Sequence, residues 1–137
     1  MPHLTSTEIA GRIEDLYGGS LADLEAHAQD QPPGMLSALL GMHDDLALAE
    51  RSIDIHRDHL ARLIHPERQI GRHEVSHLLD GSRRLAEAVA VRDVQAKSAA
   101  AVLQSLARVP ATTPSLPALS PPLPAPPLPA QGTAHSR

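Results

Sequence analysis

The sequence predicts an all-α protein centred on a long antiparallel helical hairpin with coiled-coil-like patterning. Three observations carry this prediction. Apolar residues step by three and four from Met35 to Leu63 without a slip. The same rhythm returns from Val75 to Leu106. Between the two runs stands Pro66, which pushes the residue before it out of helical backbone.

The chain opens with two short helices. Residues 5–17 form the first, because Thr5 and Glu8 have capping-box spacing and Ile9, Ile13, Leu16 and Tyr17 share a face. Gly18-Gly19 ends it, since glycine takes the left-handed conformation that closes helices. Ser20 caps a second helix over 21–28, with Leu21 and Leu24 inward. Gln29 to Gly34 then breaks the chain with Pro-Pro-Gly. Residues 1–34 therefore read as an acidic helical part with its linker.

Residues 35–109 read as the hairpin. Met35, Leu39, Met42, Leu46, Ala49, Ile53, His56, Leu60 and Leu63 form one seam, in which His56 is the polar member. Leu36, Leu40, Leu48, Ile55 and Ile64 widen the stripe. A helix of this length spans roughly 45 Å. The second long helix, about 70–108, places Val75, Leu78, Ser82, Leu85, Val89, Arg92, Ala96, Ala99, Leu103 and Leu106 on its seam. Gly81, Ser82 and Arg92 weaken its middle, and its second half is rich in alanine, which favours helix and close approach. Pro110 stops it.

A short turn near 66–69 folds the helices against each other. A lone hairpin buries one stripe of each helix. The short helices cover part of the remainder, or two hairpins associate as a four-helix bundle. The surplus of Leu36, Leu40, Leu48 and Ile55 favours the dimer. Residues 110–137 are different material: nine of the twenty residues 110–129 are Pro, and Pro-Pro-Leu-Pro-Ala occurs twice in succession. Such a segment samples polyproline II and is expected to be a disordered tail. Its Pro-Pro-Leu-Pro repeats resemble ligands of proline-reading domains such as WW modules.

Composition excludes several function classes. Without cysteine there is no disulfide framework, thiolate zinc site or Cys nucleophile. Trp and Phe are absent and Tyr17 is the single Tyr, so little can stack on bases. The net charge of −4 offers no basic footprint for nucleic acid. Read as a helix-turn-helix, residues 5–28 would carry only Arg12 as a phosphate contact. The start of the chain shows no basic, apolar leader and no run of about 18 apolar residues, so a cytoplasmic protein without a membrane span is expected. Charge is uneven: residues 1–34 carry −5 and residues 67–110 carry +2, which invites attraction within the chain or between copies. Arg83, Arg84 and Arg92 are candidate ion-pair partners between chains. No phosphate-cradling glycine loop or G-x-S-x-G elbow is present.

One pattern carries catalytic chemistry. His73-Glu74-Val75-Ser76-His77 matches H-E-x-x-H, which on a helix sets two imidazoles one turn apart with a Glu able to act as base on metal-bound water. Over these five residues the chain resembles the zincin metallopeptidase signature. The resemblance implies zinc held by His73 and His77, with Glu74 catalytic. Helical phase turns His73 and His77 about 150° from the apolar face, toward solvent. No third ligand has a natural spacing; Asp80 and Glu87 are the candidates at hand. A second metal reading uses Glu74-x-x-His77 as the carboxylate–imidazole pair of a di-metal bundle, with His56 and His59 at the same level and Glu50 as the nearby carboxylate.

The function expected from the sequence is a non-enzymatic oligomerisation or partner-binding module without a cofactor. It would self-associate or bind another helical protein through Leu39, Leu46, Ile53, His56, Leu60, Leu85 and Leu103. A seam His such as His56 also fixes register and partner number. The alternative is a metal-binding helical protein, with zinc as its cofactor.

Overall fold

The computed structural model describes residues 2–108. Four helices follow in chain order: α1 (Ser6–Tyr17), α2 (Leu21–Gln29), α3 (Met35–Leu63) and α4 (Arg72–Ala107). Among the described residues there is no strand, and no helix is long and apolar enough to cross a membrane. The Pro-rich segment, and with it the expectation of a proline-reading partner, lies outside the described residues.

The local signals act as the sequence requires. The Thr5 hydroxyl accepts from the Glu8 amide at 3.2 Å, and the Glu8 carboxylate accepts from the Thr5 amide at 2.7 Å. Gly18 closes α1 at φ 73°, donating its N–H to the Glu14 carbonyl at 2.8 Å. The Ser20 hydroxyl caps α2 by accepting from the Asp23 amide at 3.2 Å. Past α3, the Arg68 amide bonds to the His65 carbonyl at 2.9 Å and turns the chain around Pro66.

Helices α3 and α4 pack along their length as an antiparallel hairpin. Near the turn Leu60 lies against Gly81, and at the open end Leu39 and Leu46 join Ala96, Ala99 and Leu103 in one core cluster. Helix α1 adds Ile9 and Ile13 to this cluster, and α2 adds Leu24. Ile9, Ile13, Leu39 and Leu46 are fully buried, each contributing about 1.5–3 kcal/mol through removal from water. The core therefore sits at the open end. The half nearer the turn is a bare two-helix layer, buried only at positions such as Ile53, Leu63, Gly81 and Ala88.

Two expectations need correction. On α4 the expected seam runs through Val75 and Ser82, yet Val75 is 46% exposed and Ser82 is exposed, while Gly81 and Ala88 are buried. The helix turns its smallest residues inward, which lets the backbones approach. A volume-based reading favours larger side chains and misses this. The surplus stripe on α3 also divides: Leu40 is buried and Leu36 packs at the edge of the same cluster, whereas Leu48 and Ile55 stay exposed.

Candidate functional site

His73 and His77 stand on the first two turns of α4, one turn apart and both exposed. Their Nε2 atoms approach to 2.9 Å, and the rings meet edge to face with centroids 4.3 Å apart. In that pairing one ring donates and the other accepts. The two nitrogens thus lie side by side at the helix surface.

Glu74 does different work. Its carboxylate accepts the Gly71 amide at 2.9 Å, closing the N-terminus of α4. Backbone hydrogen bonds from its own amide and from Gly71 hold its carboxyl below the usual carboxylate range. The carboxylate is thereby turned toward the helix end. The signal for this was present in the sequence: Glu74 follows Gly71 by three residues, which is the capping spacing.

The di-metal arrangement requires His56 and His59 level with Glu74 and His77. Instead, His59 and Leu60 lie against Gly81, one turn farther along α4 than His77. The connection between α3 and α4 runs over residues 64–71, longer than the turn expected at 66–69. Glu50 is engaged elsewhere. It accepts the Ser6 amide at 2.8 Å and also the Ser6 hydroxyl, tying the start of α1 to the middle of α3. Asp80 pairs with Arg83 and Arg84, both at 3.1 Å. Among the described residues no group of three or more His, Asp or Glu could hold a metal ion together.

The arginines expected to act between chains have partners on their own helix. Arg83 and Arg84 meet Asp80, and Arg92 meets Asp93 at 3.0 Å. Between the acidic front and the basic second half, His3 Nε2 lies 3.4 Å from the Asp93 carboxylate.

The seven seam residues separate by burial. Leu39, Leu46, Ile53 and Leu103 are buried within a single chain, and His56, Leu60 and Leu85 are half-buried. The exposed apolar side chains lie elsewhere. Leu48 and Ile55 on α3 are 57% and 63% exposed, and Val91 on α4 is 47% exposed. Leu48 and Val91 border a shallow groove between the long helices, floored by Ala49 and Ala88. Leu48 lies roughly 160° around α3 from Glu50, which carries α1, so this face is opposite the short helices. Sequence periodicity identifies Leu48 and Ile55 as surplus, but not the groove beside Leu48. Searched against models of known families, curated proteins and solved structures, the chain matches none.

Proposed function

We propose that this chain is a non-enzymatic helical association module, and that the face of its hairpin opposite α1 and α2 receives a second copy. One observation carries the reading: Leu48 and Val91, 57% and 47% exposed, border a groove floored by Ala49 and Ala88, and Ile55, 63% exposed, follows Leu48 two turns on along the same face of α3. Singly exposed apolar residues need no explanation, but apolar residues gathered along one groove mark an interaction surface. Two hairpins that bring such faces together form a four-helix bundle, the standard way for paired helices to cover a second stripe. The buried seam residues Leu39, Leu46, Ile53 and Leu103 then serve the fold of each copy, and the association energy comes from the groove face.

Sedimentation equilibrium over a concentration series tests this. The wild-type chain is expected to approach twice its 14.6 kDa mass. Leu48→Glu and Ile55→Glu are expected to remain at the single-chain mass with unchanged helicity, because both side chains are exposed in one copy. A wild-type chain of single mass at every concentration, or a Leu48→Glu variant as dimeric as wild type, overturns the reading.

A further inference from the structure

We propose that His73 and His77 form a two-imidazole site for a divalent transition-metal ion of right-angled coordination, nickel(II) or copper(II), and that the remaining positions are open to water or an incoming donor. The site is distinct from the groove face and does not depend on the association reading. The two Nε2 atoms lie 2.9 Å apart, bonded to each other, and both rings are reachable from solvent. Imidazole is a ligand of choice for nickel, copper and zinc. With metal–nitrogen bonds of about 2.0–2.1 Å, a 2.9 Å separation subtends roughly 90° at the ion. That angle is the cis angle of tetragonal and octahedral ions. A tetrahedral ion would require the nitrogens to spread to roughly 3.3–3.4 Å.

The order of intrinsic affinities points the same way, with nickel and above all copper favoured over lighter divalent ions. The helix supplies preorganisation: Glu74 caps its N-terminus through Gly71, so the turn bearing His73 is held in register with the next. Binding replaces the hydrogen bond between the rings by two metal–nitrogen bonds, and the donor ring changes tautomer, giving up its Nε2 proton and taking one at Nδ1 by exchange with solvent, so that it stays neutral. Because Glu74 faces the helix end, the site as built holds an ion with two protein ligands and exchangeable positions. This arrangement suits capture or handover of an ion and differs from the zincin pattern, in which the Glu serves the metal-bound water.

The test is calorimetric titration of the untagged full chain with nickel(II) alone, then with zinc(II) alone. Wild type, His73→Ala, His77→Ala and, as a control on α2, His27→Ala are compared. Both site residues are exposed, and circular dichroism confirms that each variant keeps its helices. One nickel ion per chain is expected, held more tightly than zinc. Affinity should fall roughly tenfold or more in His73→Ala and in His77→Ala, about 1.4 kcal/mol or more, and stay unchanged in His27→Ala. Broadening of the His73 and His77 ring resonances by nickel places the ion between them. Equal nickel affinity in wild type and both site variants, absence of nickel binding, or tighter binding of zinc than nickel overturns the proposal.

Discussion

The Leu60 side chain occupies the space that a β-carbon on Gly81 would enter: such an atom would stand 3.1 Å from Leu60 Cδ2. This contact sets how closely α3 and α4 approach beside the turn, where neither short helix supports them. The glycine itself, poor in helix interiors, stands buried in the first third of a 36-residue helix.

Two glycines distinguish propensity from packing. Gly41, on the exposed side of α3, has nothing within 4 Å of the added carbon. Gly41→Ala is expected to stabilise the chain by about 1 kcal/mol. At Gly81 the obstacle is the far end of a half-buried leucine, which can yield by a few tenths of an ångström. Gly81→Ala should therefore gain less, about 0.5 kcal/mol. Gly81→Leu should cost about 1–3 kcal/mol by driving the helices apart. Urea unfolding curves measure all three, and a Gly81→Leu variant as stable as wild type would contradict the close approach.

Helix α1 is held mainly by burial. Ile13 is fully buried in the shared core, whereas Leu16, three residues on, is 39% exposed. Ile13→Ala should cost about 2–5 kcal/mol through lost burial and the cavity left behind. Leu16→Ala should cost clearly less, under about 1.5 kcal/mol. Equal losses at the two positions would mean that α1 docks by a different face.

Glu50 provides a polar tie at the same helix. It reaches from α3 to the first residue of α1, where unpaired amides and the helix dipole favour a carboxylate. Glu50→Ala should lower global stability by about 1–2 kcal/mol. It should also raise amide hydrogen exchange at Ser6 before that at Ile13. Glu50→Gln keeps an acceptor and should recover part of the protection. Unaltered exchange at Ser6 in Glu50→Ala would show that the tie is not formed in solution.

Acid should loosen two helix starts. Glu8 is held below the usual carboxylate range by hydrogen bonds from the Thr5 backbone and side chain, and Glu74 by those from its own amide and Gly71. For a carboxylate whose folded pKa is depressed, the stabilisation is complete above the unfolded pKa. It disappears as pH falls through the folded one. Below the ordinary glutamate range, α1 and α4 should therefore fray at their first turns while their middles stay helical. Amide exchange at Thr5 and Gly71 as a function of pH reads this out. Glu74→Gln should flatten the response at Gly71 and leave that at Thr5, whereas a Gly71 amide equally protected at all pH values would remove Glu74 from the cap.

The sequence by itself determined the helices and their ends, because those depend on neighbours three or four residues away. Thr5 with Glu8, the left-handed Gly18, Ser20 with Asp23, and the break at Pro66 all act within one turn of chain. The seam of α3 from Leu39 onward was legible for the same reason, since a heptad is a local period, whereas Met35 at its start is 49% exposed. Only the tertiary structure decided how those stripes were covered. It placed Gly81 and Ala88 inward, set Leu60 opposite Gly81, let α1 and α2 cover Leu40 while leaving Leu48 and Ile55 open, and assigned Glu50 to Ser6. These outcomes depend on the register of two helices joined by residues 64–71. A displacement of one helical turn, about 5.4 Å, changes every partner across the interface while leaving each helix as its own sequence dictates.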